Sequence, residues 1–263
     1  VVEIKNLTFQ YNNHPPVFKN FNWRIGENET WSVLGSSGSG KTTLLHLLAS
    51  LKRADGGSIE IKGKSLLRPR PETGLIMQNH GLLPWATVQK NVELGFNIRR
   101  FYRADGKHSP VDFNSDKKTE KKQISLWLEK MGIGELKDRY PHEISGGQQQ
   151  RTAIARTLIM HPDLLLMDEP FSSLDSPTRK SLQELVIDLH RKKEYSRIIV
   201  THSIEEALIM GSKILILQGG GKDSVILDNP DYMQKEYFIS PAYEALLNKI
   251  NNILGENFEK EEL

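Results

Sequence analysis

Cysteine is absent from the 263 residues. That excludes a disulfide framework, a thiolate-bound zinc and a thiol nucleophile. Net charge is nearly absent too: 35 Lys and Arg against 33 Asp and Glu leave +2. Such a balance gives no reason to expect nucleic-acid binding. No run is long and apolar enough to span a bilayer. The longest uncharged stretch, residues 73–89, carries Gln78, Asn79, His80, two glycines and Pro84, which are costly in lipid. The opening Val1-Val2-Glu3-Ile4-Lys5 lacks the apolar core of a signal peptide. What is present is ordinary for a globular chain: 38% hydrophobic, 26% charged and 8% aromatic residues. The length suffices for a full hydrophobic core in one large domain or two small ones.

The first 70 or so residues read mostly as strand. Phe21, Trp23 and Ile25 alternate with polar residues, as do Ile59 and Ile61 after a turn signal. Leu44, Leu47, Leu48 and Leu51 recur at the spacing of one helix face. From about residue 87 to 145 the pattern changes to helices and loops, with a stripe of Ile124, Trp127, Leu128 and Met131. Residues 99–122 are basic: Arg99, Arg100, Arg103, Lys107, Lys117, Lys118, Lys121 and Lys122 read as a solvated face. Strands then return as apolar runs, Leu164 to Met167, Ile198 to Val200 and Ile214 to Leu217, alternating with amphipathic helices. That alternation predicts an α/β fold with a mostly parallel sheet covered on both faces.

Gly35-Ser36-Ser37-Gly38-Ser39-Gly40-Lys41-Thr42 lies between a predicted strand and a predicted helix. Glycines let the backbone wrap a phosphate with its N–H groups inward, and the helix start adds its positive dipole end. Lys41 supplies a point charge and Thr42 a hydroxyl suited to Mg²⁺. Thr43 follows in the same turn. Downstream, Leu164-Leu165-Leu166-Met167 ends in Asp168 and Glu169. A buried strand ending in acid places charge at the carboxyl edge of the sheet, where ligands of open α/β folds bind. Asp168 is suited to hold Mg²⁺. Glu169, expected on the opposite side of the pleat, is suited to polarise an attacking water.

At this point the motifs resemble those of the ATP-binding-cassette (ABC) ATPases. Ile144-Ser145-Gly146-Gly147-Gln148 resembles the family's signature, with Ile in place of the usual Leu. Gln78 stands where the Q-loop glutamine stands, and Ser172-Ser173-Leu174-Asp175 resembles the D-loop. His202 resembles the switch histidine and Tyr11 the aromatic A-loop residue, though Phe9 and Phe18 are neighbours that could replace it. The resemblance covers residues 1–227 and leaves 228–263 as a short C-terminal extension. It implies a P-loop NTPase core, an N-terminal antiparallel β subdomain and an α-helical subdomain inserted at about 87–145. It also implies two cassettes paired head to tail, each ATP lying between the phosphate loop of one and Ser145, Gly146, Gly147 and Gln148 of the other. Glu169, His202 and Gln78 become catalytic candidates, Asp175 a nucleotide-site residue, and Thr42, Gln78 and Asp168 candidates for Mg²⁺. The other histidines (14, 46, 80, 108, 142, 161 and 190) are left as surface or packing residues.

Leu82-Leu83-Pro84-Trp85 after Gln78 is similar to the nitrate, sulfonate and taurine importer group. That implies a peripheral ATPase subunit on the cytoplasmic face of a membrane. Its partners would be a second copy, transmembrane permease subunits and a periplasmic or lipoprotein solute-binding protein, with no nucleic acid. The alternative is a soluble ABC ATPase of iron-sulfur cofactor assembly.

Overall fold

The computed structural model describes residues 1–101, 117–191, 195–232, 234 and 237–258. Arg103 and Lys107 of the basic segment lie outside the described residues. The chain forms two compact units, one of residues 1–67 and 196–263, the other of residues 68–195.

In the first unit, β1 (Val2–Gln10), β2 (Pro16–Ile25), β4 (Gly56–Ile61) and β5 (Lys64–Ser65) make an antiparallel sheet in the order β2-β1-β4-β5. Alternation buries Phe21, Trp23 and Ile25 on β2 and Ile59 and Ile61 on β4. Ile4 stands in register with both Trp23 and Ile59. A second set of strands centres on β3 (Thr30–Gly35), parallel to β8 (Ser196–Val200) on one side and β9 (Lys213–Leu217) on the other. β10 (Val225–Asp228) runs antiparallel to β9, so the parallel pattern ends in a hairpin.

Helix α1 (Lys41–Leu48) follows β3. It stops one turn earlier than the leucine spacing predicts. Ser50 turns left-handed at φ +57, and the Leu51 N–H reaches back to the His46 carbonyl at 2.8 Å. That is a Schellman stop, and it leaves Leu51 56% exposed. Helix α6 (Ile204–Met210) and the long α7 (Pro241–Phe258) belong to the same unit. Leu246, Leu247, Ile250, Ile253 and Leu254 of α7 pack against Ala207, Leu208, Leu34, Ile214 and Ile216. Helix α7 of the C-terminal extension is therefore part of this unit's core.

In the second unit β6 (Thr73–Ile76) runs parallel to β7 (Leu164–Asp168). Around them lie α2 (Val88–Phe101), α3 (Lys117–Lys130), α4 (Gly146–Leu158) and α5 (Ser176–Arg191). α3 buries Ile124, Trp127 and Leu128 and keeps Lys117, Lys118, Lys121 and Lys122 on its exposed face, as its stripe predicts. α2 and α4 approach closely: a Cβ at Gly95 would lie 2.3 Å from the Arg156 carbonyl oxygen. Arg99 of α2 pairs with Glu72.

Candidate functional site

The phosphate loop leaves the buried end of β3 and closes on α1. Gly38 and Gly40 sit at φ +79 and +100, a conformation that favours glycine. A Cβ at Gly40 would stand 2.5 Å from Val17 Cγ1, so packing as well as backbone requires glycine there. Gly40 caps α1 without a side chain, and the first turn holds no acidic residue. Those N–H groups and the dipole end are presented to an anion. Lys41 is buried, and its Nζ donates to the carbonyls of Gly35 (2.9 Å) and Ser36 (2.8 Å). These two bonds fold the ammonium back onto the loop. Ser39 Oγ is buried with no hydrogen-bond partner. Ser36, Ser37 and Thr42 belong to the same loop and first turn, Ser37 and Thr42 exposed.

Three aromatic candidates precede the loop. Phe9 and Phe18 are buried, whereas Tyr11 is 38% exposed. Its hydroxyl bonds Thr43 Oγ1 at 3.0 Å and its ring meets Phe9 edge-on. Tyr11 is therefore tied to α1, beside the phosphate loop. Lys52 Nζ lies 4.8 Å from the ring centroid, a cation–π contact.

His202 belongs to the same unit. β8 pairs in parallel with β3, Val200 beside Val33, and the Thr201 N–H donates to the Val33 carbonyl. Both the phosphate loop and the His202 turn therefore leave the carboxyl ends of adjacent strands, where open α/β sheets bind ligands. The turn is held by Ser203, which caps α6 by accepting from the Glu206 N–H at 3.2 Å. Thr201 Oγ1 accepts from the Ser203 N–H and donates to the buried Glu206 carboxylate. His202 itself is exposed.

In the second unit β6 and β7 likewise deliver their ends to one edge. Asp168 is buried at the end of β7. Glu169 does not continue the pleat: its φ is +43, so the strand stops at Asp168 and a left-handed turn, not strand parity, aims its carboxylate. Ser172 secures that turn, donating through N and Oγ to the Glu169 carbonyl at 3.3 and 3.0 Å. Gln78 Nε2 donates to Glu169 Oε2 at 3.4 Å. Sequence reasoning thus named two residues that the fold brings into contact.

Ser145 caps α4 in a reciprocal box: its Oγ accepts from the Gln148 N–H, and Gln148 Oε1 accepts from the Ser145 N–H. Ser145 and Gly146 are exposed. Gly147 is not: a Cβ there would stand 2.6 Å from Thr178 Cγ2 of α5. Asp175 caps α5, and hydrogen bonds from the Thr178 side chain and backbone hold its carboxyl below the usual aspartate range.

Sequence reasoning read the segment after Gln78 for its likeness to importer ATPases, not for what holds it in place. Asn91, fully buried, accepts from the Leu83 N–H and donates to the carbonyls of Leu83, Ala86 and Thr87. Residues 83–87 are thereby fixed to α2 while Trp85 stands 73% exposed. His80, set aside as packing, is buried against Gln150. The motif Asn-Val after the Pro-Trp pair was visible, but its partners are backbone atoms that no spacing reveals.

The ABC transporter family model matches residues 18–172, more than half of the chain. The chain belongs to the ABC transporter ATP-binding family. The aliphatic sulfonates import ATP-binding protein SsuB of Bacillus subtilis is 37% identical over 218 residues, 82% of this chain and 79% of that protein. The nitrate import ATP-binding protein NrtD of Synechocystis is 36% identical over 199 residues, 76% of this chain and 70% of that one. A dimeric ATP-binding cassette in a post-hydrolysis state with ADP and Pi aligns with a TM-score of 0.74 at 27% identity, covering 87% of this chain and 99% of that one. This ABC subunit has the P-loop NTPase fold, with an N-terminal antiparallel subdomain, an inserted helical subdomain and a mixed sheet. As a family member it binds and hydrolyses ATP in the service of transport. No described helix is long and apolar enough to cross a membrane.

Proposed function

We propose that this ABC subunit powers an importer of small oxyanions, closing with a second copy over two molecules of Mg-ATP beneath a membrane permease. The observation that carries the ATP part is the phosphate loop: two left-handed glycines, an uncapped helix start and Lys41 folded on neutral carbonyls. When triphosphate enters, Lys41 exchanges those carbonyls for phosphate oxygens, an anionic acceptor in place of neutral ones. Tyr11 offers its ring to the adenine. Glu169, tethered by Gln78, polarises the water that attacks in line, and His202 meets the γ-phosphate.

Among the described residues no three His, Cys, Asp or Glu side chains come together to hold a metal. The donor set instead suits Mg²⁺, which takes one or two carboxylates and substrate phosphates. Thr42, Gln78 and Asp168 would hold it, and it would neutralise charge building on the phosphates. Ser145, Gly146, Gly147 and Gln148 serve the nucleotide of the second copy, and Asp175 lies at that junction. The exposed signature turn supports this reading.

Trp85 supports the membrane partner. A large aromatic held rigidly in the open by Asn91 suits a protein interface. The import direction and oxyanion class rest on the names of the sulfonate and nitrate relatives.

Dimerisation is the test. Glu169→Gln should bind ATP, turn over about 10²–10⁴ times more slowly, and sediment as a dimer with Mg-ATP. Adding Ser145→Arg should return it to monomer. Persistent dimers in the double variant would remove the signature from the second nucleotide. Co-purification with soluble assembly factors rather than an integral membrane protein would favour iron-sulfur cofactor assembly instead.

A further inference from the structure

Residues 78–87 have no regular secondary structure, yet they are held on two sides. Asn91 of α2 holds 83–87 through four hydrogen bonds. The other side belongs to α4. His80 Nδ1 bonds Gln150 Oε1, Arg156 Nη2 donates to the His80 carbonyl at 2.9 Å, and Nη1 donates to the Gly81 carbonyl at 2.7 Å. Those carbonyls belong to two successive left-handed residues, His80 at φ +62 and Gly81 at φ +57. Such a conformation at a non-glycine residue persists only when its surroundings enforce it. The planar guanidinium forks across both carbonyls, which a lysine ammonium cannot reproduce. Gln150 is fully buried, and burial holds the Arg156 guanidinium in a costly place.

Gln150 and Arg156 stand on the helix that begins at the signature turn. Arg156 lies ten residues beyond Gly146, about 15 Å along a rigid helix. The segment bearing Trp85 and the turn bearing Ser145 are thus joined through three side chains and one helix, all inside the second unit. This path does not pass through Gln78.

We propose that Arg156 and Gln150 are positioning residues that lock the Trp85 segment to the signature helix, so that a partner's push on Trp85 reaches Ser145 and the nucleotide it serves. The inference rests on the proposed function, since it needs Ser145 to meet the second copy's ATP. Linkage is reciprocal: whatever Trp85 transmits to Ser145, engagement of Ser145 must transmit back to residue 85.

The chain's lack of cysteine makes this measurable. A bimane attached to Trp85→Cys in the Glu169→Gln protein is a single reporter on the segment. Mg-ATP should shift its emission as the dimer forms. Adding Arg156→Lys should remove most of that shift at saturating Mg-ATP. Affinity for a fluorescent ATP analogue should stay unchanged, because the phosphate loop is intact. Gln150→Leu is the second variant, should Arg156→Lys fail to fold, and should act in the same direction. An undiminished response in both variants overturns the linkage. So does a dimer that forms in the parent with no bimane response. If sedimentation shows no ATP-dependent dimer in the parent, the proposed function fails and takes the linkage with it.

Discussion

Lys41 shows how far one residue could be read ahead of its structure. Its type and spacing announced a phosphate ligand. Its resting partners, the carbonyls of Gly35 and Ser36, depend on how the loop folds. Replacing it with alanine should weaken binding of a fluorescent ATP analogue about tenfold to a hundredfold, the loss of one charge-assisted hydrogen bond. Tyr11 was one of three aromatic candidates until burial separated them. Phe9 and Phe18 are spent in the core and Tyr11 is not, because alternation along a strand cannot say which residue the strand's end leaves uncovered. His80 carried no signal at all. Burial lowers its imidazole pKa from the ordinary 6.5, with the Gln150 bond acting in the opposite sense and Arg156 the cation beside its own carbonyl. The unfolded chain therefore takes up the proton more readily than the folded one. Stability from His80 is complete above pH 6.5 and is lost as pH falls through the depressed folded value. Urea midpoints should fall between pH 7.5 and 5.5, and His80→Asn should flatten part of that slope.

Elements were legible where a long pattern defined them and less so where they ended. The stripe on α3 predicted its buried face, and the end came from Gly132 at φ +65, with the Ile133 N–H returning to the Leu128 carbonyl. The α1 end needed Ser50 in the same region, which no residue preference favours, and the leucine spacing ran past it. Close helix contacts were invisible because a glycine declares freedom, not the neighbour that demands it. Gly95 faces the α4 backbone, where the obstructing atom is a carbonyl oxygen that cannot rotate away. Gly95→Ala should lower stability by about 1–3 kcal/mol through overpacking, measured by urea unfolding. The same argument gives Gly147 a structural duty against Thr178 in addition to its place in the signature.

Across the whole molecule, the exposed Trp85 is the feature that a lone soluble enzyme would not need. Trp85→Ala should leave the melting temperature of the purified subunit unchanged while weakening retention by the proposed membrane partner, by about 2 kcal/mol or more for an interface anchor. Pull-down from solubilised membranes measures the second effect and calorimetry the first. The chain's own residues determined the phosphate loop, the acid-ended strand, the alternation of strand and helix and the family, because each is carried by neighbours along a local stretch whose spacing is set by covalent geometry. Only tertiary structure decided that Glu169 leaves its strand in a left-handed turn, that Asn91 and Arg156 hold the Trp85 segment, and that α7 completes a core. Those facts depend on atoms distant in sequence meeting in space, where burial and unsatisfied backbone groups choose the partners.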